Sequence, residues 1–215
     1  MIVILPMRKG SKRLKNKNIK KINKKPLYKI TINKLLKIKE IKKIIVTTDY
    51  NFKFSSKKIV VHKRPKHLTS NCNINKVIKD VIDNFKSEHY IQLHVTSPLL
   101  KSSTIRRAIL YYKKNYIKYD TLISVTPLKK RFWTDQIKPL NHKLSDAPTT
   151  QNLKYIYEEN SGFYIFSSKS FLRYNRRIGG RIKLFKISNL ESFDIDTQDE
   201  FDIIKKILES ENSKN

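Results

Sequence analysis

The sequence predicts an α/β fold in which helices cover both faces of a mostly parallel, mixed β-sheet. Short apolar runs typical of buried strands alternate with helical stripes through the first 126 residues. Strands separated by helices need crossover connections, and these join parallel neighbours. A length of 215 residues suits one large domain or two small ones, and a single cysteine excludes both a disulfide framework and a four-cysteine zinc site.

The predicted strands are short runs rich in isoleucine, valine and other β-branched or aromatic residues. Pro6 ends the first of them. The runs cover residues 2–5, 44–46, 58–62, 90–95, 121–125, 162–167 and 182–187.

The predicted helices show apolar residues at intervals of three and four. They cover residues 27–38, 73–86 and 102–116, and a last helix carries Phe201, Ile204 and Leu208. Asn73 is the predicted N-cap of the second helix. Its apolar face comprises Ile74, Val77, Ile78, Val81, Ile82 and Phe85.

Residues 127–160 interrupt this alternation. They show no comparable periodicity and contain three prolines, which predicts an inserted arm. The apolar run at residues 1–5 is too short for a membrane span or a signal core. We therefore expect a cytoplasmic protein with no membrane partner.

The net charge of +29 has two explanations. A basic chain can bind nucleic acid or another polyanion through a dedicated patch. Lysine, isoleucine and asparagine, however, are encoded by A/T-rich codons and fill 83 of the 215 positions, so coding bias can produce the same excess. Bias is the interpretation we favour, which makes nucleic acid an unexpected partner.

Two segments could form a site for a phosphate and a metal ion. Gly10 and Ser11 follow the first strand in a lysine-rich loop, where a glycine lets the backbone approach a phosphate. The same loop could be a basic surface segment or resemble a nuclear-localisation cluster. Asp194 and Asp196 could hold Mg²⁺ on one side of an extended segment. Alternatively, Asp196 or Thr197 only caps the last helix.

Six motifs in unbroken order over residues 2–208 resemble those of the acylneuraminate cytidylyltransferases. The first motif is matched by Arg8, Gly10, Ser11, Lys12, Arg13, Leu14, Lys17 and Asn18. The others are Val46-Thr47-Thr48-Asp49, Arg64-Pro65-x-x-Leu68, Thr96-Ser97-Pro98-Leu99, Asn160 to Ile165 and Asp194-Ile195-Asp196-Thr197.

This resemblance implies a Rossmann-like nucleotide-diphospho-sugar transferase fold spanning residues 1–215. Residues 127–160 would then be an arm that contacts the second subunit of a homodimer and its substrate. The implied reaction transfers CMP from CTP to the anomeric hydroxyl of a nonulosonic (sialic-type) acid and releases pyrophosphate, using Mg²⁺ or Mn²⁺.

The resemblance also implies roles for individual residues. Arg8, Lys12 and Lys17 would be catalytic, with Lys12 the first choice for stabilising phosphate charge. The nucleotide would be bound by Arg8, Gly10, Ser11, Lys12, Asn18 and Arg64, the substrate by His94, Thr96, Ser97 and Asn160, and the metal by Asp194 and Asp196.

His94 stands where sialic acid enzymes of the family commonly carry glutamine, so the identity of the sugar acid stays open. One alternative activates another acid, such as 3-deoxy-manno-octulosonic acid. An alternative of a different class is a basic, non-catalytic protein that binds nucleic acid.

Overall fold

The computed structural model describes residues 1–11, 13–69, 72–145 and 149–212. Within these ranges the strands are β1 (Ile2–Met7), β2 (Lys21–Ile22), β3 (Lys25–Pro26), β4 (Lys43–Thr48), β5 (Ile59–Lys63), β6 (His89–Leu93), β7 (Thr121–Leu128), β8 (Ile156–Ser167) and β9 (Ile182–Lys186). The helices are α1 (Leu27–Leu36), α2 (Ile74–Asn84), α3 (Ser102–Asn115), α4 (Ser168–Tyr174) and α5 (Gln198–Asn212). None of the helices in these ranges is long and apolar enough to cross a membrane.

Seven of these strands form one mixed sheet in the order β5-β4-β1-β6-β8-β7-β9. The strands β5, β4, β1 and β6 are parallel neighbours, and β7 is parallel to β9. Only β8 runs antiparallel to the strands on either side of it. The mostly parallel, mixed sheet predicted from the sequence is therefore confirmed.

The central strand β1 is buried on both faces. Val3 and Leu5 belong to a cluster that includes buried residues of α1 and α3. Ile2 and Ile4, which point the other way, belong to a second cluster with α2 and α4. Helices thus cover both faces of the sheet, as the apolar character of β1 predicted.

A third cluster joins the two ends of the chain. Leu14, from the loop after β1, packs with Ile195 and with Phe201 of α5. Ile195 is fully buried in this cluster. Apolar burial of this kind stabilises by roughly 1.5–3 kcal/mol per side chain, so the cluster holds the first loop against the segment before α5.

The helix predicted at residues 73–86 is confirmed as α2. The side chain of Asn73 accepts a hydrogen bond of 2.9 Å from the N–H of Asn75, as expected of an N-cap. The apolar face of the helix is buried, with Ile78 and Val81 fully inaccessible.

Four elements differ from the sequence prediction. The short helix α4 and the short strands β2 and β3 were missed. Strand β8 begins at Ile156, six residues before the predicted start. The early part of β8 pairs with the end of β7, so that residues 129–155 form the excursion between these strands. The register shifts around Ser161, whose φ of 57° is left-handed. This bulge breaks the two-residue alternation that identifies a strand in sequence.

Candidate active site

A cavity of about 580 Å³ opens at the carboxyl ends of β1 and β6. In parallel α/β sheets this is the edge at which ligands bind. The cavity wall includes eight residues that the sequence analysis assigned to a site: Arg8, Ser11, Lys17, Asn18, Arg64, His94, Thr96 and Asp196.

The loop after β1 and the aspartate segment before α5 meet in this cavity. Lys17 Nζ lies 2.8 Å from Asp196 Oδ1 and donates a second hydrogen bond of 3.1 Å to the carbonyl oxygen of Ile195. The guanidinium of Arg13 lies 2.6 Å from Asp196 Oδ2. The predicted meeting of these segments, 179 positions apart, is confirmed.

The position of Asp196 is set by the start of α5. Glu200 accepts hydrogen bonds of 2.8 Å from the N–H groups of both Asp196 and Thr197. In return, the N–H of Glu200 donates to Thr197 Oγ1 over 3.3 Å. This is a capping box with Thr197 as the N-cap. The cap therefore uses Thr197, and the Asp196 carboxylate faces the cavity.

Asp194 lies beside the cavity and is not part of its wall. Ser97 Oγ donates to Asp194 Oδ1 over 3.4 Å, while the N–H of Ile195 bonds to the carbonyl oxygen of Thr96 over 2.9 Å. The latter bond attaches the aspartate segment to the chain that follows β6. Burial raises the pKa of the Asp194 carboxyl, and the opposing effects of Thr96 and Lys17 are smaller.

Arg64 is a buried cation in the cavity wall. One of its terminal nitrogens donates to the carbonyl oxygen of Thr47 over 3.0 Å, and burial lowers the pKa of its guanidinium. Its Nε is buried without a hydrogen-bond partner among the described residues. Nearby, Asn18 Nδ2 donates to the carbonyl oxygen of Arg8 over 3.0 Å, which fixes the turn of the first loop.

His94 contributes an imidazole to the same wall. Its Nε2 lies 2.9 Å from Nε2 of Gln92, and the side chain of Gln92 also contacts Arg177. Burial lowers the pKa of His94 to about 4, and the charges of Arg177 and Lys17 add to this effect. The imidazole is therefore neutral near pH 7.

Besides Asp194, three further predicted site residues lie outside the cavity wall. Gly10 has a φ of 74°, and this left-handed conformation accounts for a glycine there. Ser97 faces Asp194. Asn160 is buried in the sheet, where its amide bonds to Ser124, Thr126 and the N–H of Gly162. The structure therefore gives Asn160 protein partners at the β8 bulge and does not place it beside the cavity.

One predicted site residue lies outside the described part of the chain, and three residues at or near the cavity had no predicted role. Lys12, the first choice for a catalytic cation, lies outside the described residues. Cys72 lines the cavity, although the sequence analysis gave it no role there, and its Sγ contacts the carbonyl oxygen of Leu68. Arg13 belonged to the first motif without an assigned role. Arg177 stands in a segment that carries no motif, so no signal in the sequence could have identified it.

The acidic residues of the site suit only some metal ions. Among the described residues, no group of three or more histidine, cysteine, aspartate or glutamate side chains could hold a metal. Asp194 and Asp196 offer two carboxylates. This fits Mg²⁺, which is commonly bound by one or two carboxylates together with phosphate oxygens of a substrate. Both oxygens of Asp196 already contact cations, so a metal there would exchange with Lys17 or Arg13.

A family model described as cytidylyltransferase matches residues 2–214. The chain belongs to the cytidylyltransferase family. It is thereby a nucleotidyltransferase, the enzyme class that the motifs predicted.

Similar proteins of known name cover most of this cytidylyltransferase chain. It is 28% identical to post-translational flagellin modification protein B of Campylobacter coli, over 95% of this chain and 93% of that protein. It is 26% identical to the CMP-N,N'-diacetyllegionaminic acid synthase of Legionella pneumophila, over 97% of this chain and 96% of the relative.

Identity reaches 30% with the N-acylneuraminate cytidylyltransferase of Escherichia coli O18:K1:H7, over 99% of this chain and 53% of that enzyme. The chain thus spans about half the length of this relative. Among solved structures, a CMP-2-keto-3-deoxy-manno-octonic acid synthetase complexed with CTP superposes with a TM-score of 0.72, covering 98% of both chains at 13% identity. At that identity the likeness shows the fold alone, and the predicted Rossmann-like transferase fold is confirmed.

Proposed function

We propose that this cytidylyltransferase transfers CMP from CTP to the anomeric hydroxyl of a nonulosonic acid and releases pyrophosphate. The observation that carries the proposal is the contact between Lys17 and Asp196 inside the cationic cavity. The contact brings together the loop that we assign to phosphate and the carboxylate that we assign to the metal, and a reaction on a nucleoside triphosphate uses both.

The charge of the cavity suits a triphosphate. Among the described residues, the wall of the cavity carries four cationic side chains and one carboxylate, that of Asp196. The cations are Arg8, Arg13, Lys17 and Arg64. A cation about 4 Å from a phosphate oxygen contributes on the order of 4 kcal/mol at an effective dielectric of ~20. Arginine can also bind phosphate through two parallel hydrogen bonds. We assign Arg8, Ser11 and Lys17 to the triphosphate, and Asn18 and Arg64 to the nucleoside.

The proposed chemistry is an in-line displacement at the α-phosphorus. The oxygen of the anomeric hydroxyl forms a new bond to the α-phosphorus, the bond from that phosphorus to the bridging oxygen of the leaving group breaks, and the hydroxyl proton passes to solvent. The protein contributes mainly orientation and charge stabilisation. We assign the neutralisation of charge on the transferring and leaving phosphates to Lys17 and Arg13, which both pair with Asp196 in the cavity wall.

We assign Mg²⁺, or Mn²⁺ in its place, to Asp194 and Asp196. A bound divalent ion neutralises triphosphate charge and lowers the pKa of a nearby hydroxyl. Burial, and to a smaller extent the charge of Asp196, raise the pKa of the Asp194 carboxyl, and a bound cation would offset both effects by favouring the charged form.

The acceptor is inferred from the named relatives. Their names include an N-acylneuraminate cytidylyltransferase, a diacetyllegionaminic acid synthase and a pseudaminic acid cytidylyltransferase, all of which concern nonulosonic acids. We place the acid beside His94 and Thr96 in the cavity wall. Activation of 3-deoxy-manno-octulosonic acid is the alternative that keeps the same nucleotide site.

We also propose a cytoplasmic homodimer, since CTP is a cytoplasmic metabolite and the excursion between β7 and β8 exposes apolar side chains. Ile137 is 82% exposed there and Leu140 is 61% exposed. Apolar residues exposed together are typical of an interface between subunits.

The test is pyrophosphate release from CTP and Mg²⁺ with a panel of sialic, legionaminic, pseudaminic and octulosonic acids. We expect release with at least one acid and a loss of at least ~10²-fold in Asp196→Asn, the scale for removing one central electrostatic contact. The matched control is Asp83→Asn, because Asp83 pairs with Lys79 on the exposed surface of α2. No release with any acid, together with salt-sensitive binding of DNA or RNA, would overturn the proposal.

A further inference from the structure

A chain of polar side chains leads from the face of the sheet to the cavity wall. Arg177, in the loop after α4, donates from a terminal nitrogen to Oε1 of Gln92. Gln92 is a fully buried residue of β6. Its Nε2 lies 3.2 Å from the carbonyl oxygen of Leu93 and 2.9 Å from Nε2 of His94, which lines the cavity.

The contacts of Gln92 fix which way its amide points. A guanidinium can only donate hydrogen bonds, so the atom that faces Arg177 must be the carbonyl oxygen of the amide. The carbonyl oxygen of Leu93 can only accept, so the atom that faces it must be the amide nitrogen. The two neighbours independently require the same orientation of Gln92.

This orientation determines the protonation of His94. The Nε2 of Gln92 is a donor only, so Nε2 of His94 must accept and carries no proton. A neutral imidazole then holds its proton on Nδ1. No described residue forms a hydrogen bond with Nδ1 of His94. This nitrogen is also not fully buried. The N–H of Nδ1 is therefore open to the cavity.

Arg177 is itself held firmly. Its guanidinium carbon lies 3.6 Å from the centre of the Tyr164 ring, and its backbone N–H donates to Asn75 over 3.1 Å. No carboxylate among the described residues lies within 4.0 Å of its guanidinium. Its positive charge is therefore only partly balanced, by Glu159 from a longer distance, and Arg177 is linked to His94 through Gln92.

We propose that Arg177 and Gln92 are positioning residues that hold His94 as its Nδ1–H tautomer, so that the cavity wall presents a hydrogen-bond donor to an acceptor oxygen of the sugar acid. The positive charge of Arg177 favours an anionic oxygen, such as that of a carboxylate. The identity of the ligand rests on the proposed function, whereas the tautomer rests on the contacts alone.

The tautomer is tested in the ligand-free protein by ¹⁵N NMR of labelled histidine at pH 7. Loss of one of the five signals in His94→Gln assigns the resonance. We expect the pattern of an imidazole protonated at Nδ1 only. Gln92→Glu should abolish it, because a carboxylate cannot donate and His94 must then be protonated at Nε2. Arg177→Lys should keep the pattern, and Arg177→Met should yield a mixture of tautomers.

Either of two results would overturn the inference: an Nε2-protonated or doubly protonated His94 in the unaltered protein, or an unchanged pattern in Gln92→Glu. Thermal unfolding of each variant shows whether it is folded. Because no substrate is needed, failure of the proposed reaction and failure of this inference are distinguishable.

Steady-state kinetics test the link to the sugar acid. We expect Gln92→Glu to raise the KM for the acid about tenfold, the effect of losing one hydrogen bond, while the KM for CTP changes by less than about twofold. Arg177→Lys should restore most of the affinity that Arg177→Met loses. The control is Arg181→Met, since Arg181 pairs with Asp120 on the surface. Equal effects on both substrates would contradict a role at the acid.

Discussion

Replacing Lys17 by methionine should cost far more activity than stability. The substitution keeps most of the side-chain volume and removes the ammonium that lies 2.8 Å from Asp196 and 3.1 Å from the carbonyl oxygen of Ile195. With this charge absent, the proposed triphosphate site loses a cation, and Asp196 keeps Arg13 as its partner at 2.6 Å.

The size of the effect follows from the charge. A cation about 4 Å from a phosphate oxygen contributes on the order of 4 kcal/mol at an effective dielectric of ~20, which corresponds to roughly 10³-fold. Because Arg8 and Arg13 remain in the wall, we expect a fall in kcat/KM of about 10²-fold to 10³-fold. Stability should fall by only about 1 kcal/mol, since the ion pair is partly exposed and Asp196 stays paired.

The assay is pyrophosphate release with the preferred acid, accompanied by urea unfolding of both proteins. Lys20→Met is the matched control, because Lys20 is in the same loop but bonds to Gln198 on the exposed surface. Its activity should stay within about twofold of the unaltered protein. Activity of Lys17→Met within a similar margin, in a folded protein, would refute the assignment of Lys17 to the triphosphate.

Further predictions concern stability and assembly. The pKa of His94 is lowered to about 4 in the folded protein. As the pH falls, His94 therefore becomes protonated in the unfolded chain before it does in the folded protein. The free energy of unfolding should fall by about 3 kcal/mol between about pH 6.5 and 4 for this reason. In urea unfolding, the His94→Gln variant should lack this part of the fall in the free energy of unfolding. An equal fall in the variant and the unaltered protein would contradict the lowered pKa. Burial raises the pKa of Glu200, but the hydrogen bonds that Glu200 accepts together lower it by more, so the net pKa is lowered. The contribution of Glu200 to the free energy of unfolding should therefore be present at neutral pH and lost as the pH falls through this lowered pKa. Glu200→Ala should therefore cost about 1 kcal/mol at pH 7 and less at pH 3, and an equal cost at both would disagree. Asn73→Ala should cost about 1 kcal/mol in thermal unfolding through loss of the α2 cap, and no change would count against that cap. Ile137→Ser combined with Leu140→Ser should convert a dimer to a monomer in sedimentation, whereas a double variant that stays dimeric would place the interface elsewhere.

Local patterns were sufficient to predict the parallel part of the fold. β1 is a run of apolar residues because it is buried on both faces, and α2 has a clear apolar stripe and an asparagine cap, so each shows its own periodicity. The start of β8 could not be found in this way. Four polar residues, Glu158 to Ser161, follow its first two residues, and the left-handed Ser161 shifts the alternation in the middle of the strand.

The candidate site was predictable only where its residues belong to local sequence motifs. Motifs identified Lys17 and Asp196, but only the tertiary fold shows that they touch and that Thr197, rather than Asp196, caps α5. Arg177 and Gln92 are defined by contacts between segments 85 positions apart, and such contacts leave no local pattern. Asn160 matched a family motif, yet its amide forms hydrogen bonds with Ser124 and Thr126 inside the sheet.

The most direct test of the account is a crystal structure of the protein with CTP and Mn²⁺, whose anomalous scattering locates the metal. We predict the triphosphate along Arg8 and Lys17, with the metal between the phosphates and the carboxylates of Asp194 and Asp196. CTP bound elsewhere on the molecule, or a metal that contacts neither aspartate, would contradict the claim that these two ends of the chain form one catalytic site.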